Sequence, residues 1–177
     1  MALRRVVTEG DEVLRKKCKE VLVVNDHIKE TLLDMLETMR DSYGVGIAAP
    51  QIGILRRMFV AVPNPDYPEL ETDEDEANKE EEKIYFMINP EIIEHSDNLV
   101  EGQEGCLSVP EKAGTVPRYD YIKIKALDFN GNEQIYEFYD WDARVMQHEY
   151  DHLDGILYID RASEVHDVNE EVSEEDK

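Results

Sequence analysis

The chain has 177 residues, 41% of them hydrophobic, with 42 acidic against 19 basic side chains and a formal charge of −23. That length suits one sizeable core and leaves too little for two. No apolar run reaches signal-peptide or membrane-span length and there are only two cysteines, so a membrane protein or a disulfide-built secreted domain is excluded in favour of a soluble, intracellular chain.

In chain order, Gly10 to Arg15 opens the folded part. Ile28, Leu32, Met35, Leu36, Met39 and Tyr43 recur at three- and four-residue spacing, which predicts an amphipathic helix over 26–41, capped by Asn25 or Asp26 and ended by Gly44. Runs at 58–62 and 84–88 read as strands. They flank an acidic stretch, 66–83, with ten acidic and two basic residues, net −8. Residues 121–129 alternate Ile122, Ile124 and Ala126 against Lys123 and Lys125. Asn130-Gly131 then supplies a two-residue turn before the chain returns over 134–138. Asp140 is placed to cap a helix that starts at Trp141 and stops before Gly155. The segment 164–177, net −6, is a second acidic block. Both blocks read as solvated and without affinity for nucleic acid. The expected organisation is one domain over 1–162, with a mobile acidic loop at 66–83, and a disordered acidic tail over 163–177.

The most informative stretch is His148-Glu149-Tyr150-Asp151-His152. On a helix, a spacing of four puts both imidazoles on one face where they can share a metal ion, and Glu149 is then placed to handle protons at a metal-activated water. A catalytic site of this kind wants three protein ligands and an open position. Downstream of His152 the chain offers Asp154, Asp160, Glu164 and His166, none comfortably placed. Upstream, Cys106 sits in Glu104-Gly105-Cys106-Leu107-Ser108-Val109-Pro110, where Gly and Pro imply an irregular backbone that can present a thiolate and a free N–H. Cys18 has no histidine patterned around it and reads as a buried small hydrophobe.

With Gly44-Val45-Gly46-Ile47-Ala48-Ala49-Pro50-Gln51, these segments resemble the peptide deformylase family, whose signature is G-x-G-x-A-A-x-Q, then E-G-C-L-S, then Q-H-E-x-D-H, in that order. The resemblance runs from about Leu3 to about Arg161, and Gln147 and Asp151 match as well. It implies an α+β fold of short antiparallel strands around a central helix that carries the His-Glu-x-x-His motif. The implied activity is removal of the N-formyl group from the initiator methionine of new polypeptides, with release of formate. By the same resemblance the metal ligands are Cys106, His148 and His152. A metal-acidified water is the nucleophile, Glu149 is the general base and then acid, and Gln51 and the Leu107 N–H stabilise the oxyanion. Gly44, Val45, Gly46, Glu104, Trp141 and Val145 are implied near the substrate, the two glycines so that its backbone comes close. Trp141 reads equally as a core aromatic over the helix. Fe²⁺ is the first expectation for the metal, with Zn²⁺, Ni²⁺ and Co²⁺ compatible with the same donors.

Three rival readings share parts of this pattern. A zincin-like peptidase would take its third ligand after His152. A silent deformylase-like protein would bind nascent chains or the ribosome without chemistry. A homologue could act on another formyl or acyl substrate. The expected partners are N-formyl-methionyl nascent peptides in the cytoplasm, with no DNA and no membrane. A ribosome contact would fall to the basic arm Arg4, Arg5, Arg15, Lys16, Lys17 and Lys19, which otherwise reads as a solvated face. His27, His95 and His166 read as surface residues, and Arg118 as a structural partner for a carboxylate.

Overall fold

The computed structural model describes residues 1–67 and 81–171. Most of the acidic loop expected at 66–83, and residues 172–177 of the expected tail, lie outside the described residues. Helix α1 spans Asp26–Asp41, and the Asn25 side chain accepts from the Ile28 N–H at 3.0 Å. Such a cap contributes about 1 kcal/mol. The apolar stripe read from the sequence turns inward: Leu32, Met35 and Met39 are fully buried. Each such side chain contributes roughly 1.5–3 kcal/mol by burial.

Two antiparallel sheets follow. The first has the order β1-β2-β3-β6-β7, built from Gly46–Ala48, Met58–Ala61, Tyr85–His95, Tyr121–Leu127 and Glu133–Tyr139. The second has the order β4-β5-β8, built from Leu99–Cys106, Val109–Tyr119 and Glu164–Asp167. Helix α2, Asp140–Leu153, packs on β1 and β2 from one side and on β5 from the other. Two short helices, α3 (Tyr158–Arg161) and α4 (Val168–Glu171), complete the described chain. Ala143, Val145, Met146 and Leu153 of α2 enter the same core as Phe59, Ile122, Ile124 and Phe138 of the first sheet. The alternation along β6 is as expected: Ile122, Ile124 and Ala126 are buried, while Lys123 and Lys125 reach across to Glu94 and Glu91.

Several expectations are corrected. The β6–β7 connection is a five-residue loop, since Leu127 pairs with Glu133. The Asp128 carboxylate accepts from the backbone N–H groups of Asn130 and Asn132, and this local bond competes with a tight Asn-Gly turn. The α2 helix begins at Asp140 itself, with Tyr139 at its cap position. The irregular backbone expected around Cys106 is a register shift between Glu104 and Cys106, but it lies within a hairpin: Cys106 ends β4 and pairs with Val109 across the β4–β5 turn. The tail expected to be disordered from 163 contributes β8, because Glu164–Asp167 pairs with Lys112–Thr115 and finds backbone partners on the edge of β5. His166 is therefore half-buried within a sheet, whereas His27 and His95 are exposed.

Candidate metal centre

Along α2, Arg144, His148 and His152 stand four residues apart and share one face. That face meets the end of β4. The sulfur of Cys106 and the imidazole nitrogens of His148 and His152 all lie within 4.8 Å of one another, and Cys106 Sγ is 3.4 Å from His152 Nε2. Both histidines are buried and Cys106 is half-buried.

Two residues before Cys106 on the same strand, the buried Glu104 carboxylate fixes this face. Its Oε1 accepts from Arg118 Nη2 at 2.9 Å and lies 2.8 Å from His148 Nδ1. Its Oε2 accepts from Arg118 Nε at 2.9 Å and Arg144 Nη1 at 2.8 Å. Glu104 therefore lines the cleft with both oxygens engaged, and His148 is held so that its Nε2 is the free donor atom. Arg118 also donates to Asp151 at 2.6 Å, and Gln147 clasps both backbone groups of Tyr119, so α2 is tied to β5 at three levels. Burial pushes the Glu104 carboxyl upward, but hydrogen bonds from His148 and Arg118 outweigh it and hold it down at about 2.

Glu149 lies on the other side of the helix, against β1. A Cβ built on Gly46 would fall 2.5 Å from Glu149 Oε1, so that glycine makes room for the carboxylate of the same protein. Burial pushes Glu149 up to about 7, and its Oε2 is buried without a hydrogen-bond partner among the described residues. Gln51 follows β1 in a 3₁₀ turn, Ala49–Ile52. Its Oε1 accepts from the Ala48 N–H at 2.9 Å, which fixes which end of the amide is NH₂, and Nε2 donates to Ser108 Oγ at 3.1 Å and lies 3.6 Å from Cys106 Sγ.

These groups form the floor of a cleft of about 430 Å³. Gly44, Val45, Gly46, Gln51, Glu104, Cys106, Leu107, Trp141, Val145, His148 and Glu149 all line it, and His152 lies buried behind them. Trp141 is 44% exposed at the rim, where its Nε1 donates to the Pro63 carbonyl at 2.8 Å. The expectation of a core aromatic does not hold, because that bond turns the indole away from the helix core. Sequence reasoning missed Arg144, Ser108, Tyr43, Glu111 and Lys112, which also belong to the site or its rim. Only Ser108 carried a signal, its place in the Glu104–Ser108 motif.

The donors fit a transition metal. One thiol and two imidazoles converge at the foot of an open cleft, burial holds His152 well below its ordinary value so that it stays neutral, and an unpartnered buried carboxylate oxygen stands beside them. A metallohydrolase centre is the class this arrangement defines.

Comparison with known proteins narrows that class. Residues 3–168 match the sequence model of the polypeptide deformylase family. Peptide deformylase 1 of Clostridium perfringens is 45% identical over 160 residues, covering 90% of this chain and 98% of that one. Among solved structures, peptide deformylase from Thermotoga maritima superposes with a TM-score of 0.81 at 37% identity, covering 93% of this chain and 100% of that one. The Ehrlichia chaffeensis enzyme in complex with actinonin gives 0.81 at 36%, covering 93% and 91%. The chain belongs to the polypeptide deformylase family. It is a metal-dependent amide hydrolase of that family, and the zincin-like and silent-binder readings are not favoured. Among the described residues no helix is long and apolar enough to cross a membrane.

Proposed function

We propose that this chain removes the N-formyl group from formyl-methionyl peptides at the cleft floored by Cys106, His148, His152 and Glu149. The observation that carries the reading is the convergence of the three ligand side chains within 4.8 Å beside a buried carboxylate. Those three residues would hold one divalent metal, which when bound supplies Lewis acidity and water of lowered pKa. The mixed thiolate and imidazole set suits Fe²⁺, Zn²⁺, Ni²⁺ and Co²⁺ alike, and Fe²⁺ is the first assignment on the family resemblance alone.

The chain's own residues do the rest. A water molecule adds to the formyl carbon, and Glu149 takes its proton. A carboxylate poised at about 7 is suited both to accept that proton and to return it. The proton then goes to the amide nitrogen as the C–N bond breaks, leaving formate and a free α-amine. Gln51 Nε2, oriented through Ala48, and the Leu107 N–H at the β4–β5 turn would donate to the formyl oxygen as charge builds on it. Val45, Val145, Trp141 and the methylenes of Arg144 offer an apolar wall for the methionine side chain. Glu104 lines the cleft with both oxygens engaged by Arg118, Arg144 and His148, so its main role would be to act through His148.

The reading puts the protein in the cytoplasm, where new formylated chains arise, and leaves the exposed basic arm Arg4, Arg5, Arg15, Lys16, Lys17 and Lys19 as the surface for a ribosome contact. The test is formate release from formyl-Met-Ala by metal-loaded protein, with Glu149→Ala in parallel. Release that is lost in the variant while its metal content is unchanged supports the assignment. Equal turnover in the variant rejects the role of Glu149.

A further inference from the structure

Helix α1 ends in a backbone arrangement that usually calls for glycine. The Gly44 N–H donates back to the Met39 carbonyl at 2.9 Å and the Tyr43 N–H donates to the Arg40 carbonyl at 3.1 Å, while Tyr43 sits between them with φ at +52°. This left-handed position is where glycine is favoured and a bulky residue is strained. The sequence nevertheless supplies tyrosine, with its ring at the rim of the catalytic cleft and 52% exposed. Neither core burial nor helix termination accounts for that choice.

A second aromatic holds it there. Tyr67 packs edge-on against Tyr43 with ring centroids 5.3 Å apart, and its hydroxyl donates to the Gly44 carbonyl at 2.7 Å, next to the Val45 and Gly46 that line the cleft. The result is a pre-organised aromatic pair, with Tyr43 half exposed, at the entrance to the site.

We propose that the Tyr43–Tyr67 pair is a specificity-determining platform for an apolar or aromatic side chain downstream of the formyl-methionine in the peptide substrate. The inference rests on the reading of this cleft as a deformylase site. A ring placed on an open aromatic face gains on the order of three- to tenfold in affinity beyond its burial. Because a strained non-glycine backbone persists where function requires it, removal of the side chain should cost the fold little or nothing.

The test compares kcat/KM for formyl-Met-Phe-Ser and formyl-Met-Ala-Ser. Wild-type protein is expected to favour the phenylalanine peptide by about three- to tenfold. Tyr43→Gly should bring that ratio near one by lowering kcat/KM for the phenylalanine peptide about three- to tenfold, with little change in Tm. Tyr43→Phe should preserve the ratio, and Tyr43→Asn, which also tolerates the left-handed backbone, should behave as the glycine variant and serves if that variant does not fold. A wild-type ratio near one with normal turnover overturns the platform alone, as does a preference that survives in both Tyr43→Gly and Tyr43→Asn. No formate from either peptide overturns the deformylase reading together with the platform.

Discussion

Glu104 Oε1 lies 2.8 Å from His148 Nδ1, and that contact joins the strand that carries Cys106 to the helix that carries both histidines. Two arginines, Arg118 and Arg144, grip the same carboxylate from β5 and from α2. The ligand geometry is thus set by a buried charge cluster outside the metal shell. Glu104→Gln keeps the shape but loses the charge and disturbs the tautomer of His148. Metal affinity should fall about 10- to 100-fold, measured by competition with a chelator, with a smaller change in KM for the peptide. Unchanged affinity would show that His148 needs no such support.

Gly46→Ala places a methyl where the Glu149 carboxylate lies. The carboxylate must move by about an ångström, and kcat should fall roughly 100-fold with metal content unchanged. Turnover and metal analysis on the same preparation check this, since a loss of both would place the damage in folding.

Gln51→Ala removes a donor whose orientation is fixed by the Ala48 N–H. If Nε2 meets the developing oxyanion, kcat should fall about 10²- to 10³-fold while KM changes little. A loss confined to KM would make Gln51 a ground-state contact.

The N-terminal segment of the chain is tied to α1 through Asp34, whose carboxylate accepts from the Ala2 N–H at 2.7 Å and from Arg4 Nε at 2.8 Å. Burial pushes Asp34 upward, but these partners prevail and hold it below the usual carboxylate range. A carboxyl depressed on folding stabilises above its unfolded value, near 4, and loses that contribution as pH falls through the folded value. Asp34→Asn should therefore lower Tm at pH 7 and narrow the gap to wild type as the pH drops below 4. A constant gap across that range would contradict the assignment.

Much of this was legible from short patterns. The i, i+4 histidines, the stripe of α1 and the alternation of β6 each follow from one element's own period, and each appears where that period places it. What was not legible depends on partners distant in sequence. Arg144 reaches Val100, Glu104 and Val116, which are 44, 40 and 28 residues away, and no local pattern marks such an arginine. The glycine at 46 was visible, but its neighbour was not: it admits Glu149, a residue over a hundred positions on. The β4–β5 hairpin escaped notice because Gly102, Gly105 and Pro110 interrupt the alternation that identifies a strand, and Glu164–Asp167 reads as tail until the open edge of β5 is known.

The central claim is that Cys106 joins His148 and His152 around one metal. X-ray absorption at the metal edge of anaerobically purified protein tests it most directly. The account predicts one sulfur neighbour at about 2.3 Å and two imidazole nitrogens at about 2.0–2.1 Å if the ion is zinc, with similar values for iron. The sulfur should be lost in Cys106→Ser. A first shell of nitrogen and oxygen alone in the wild-type protein would contradict it.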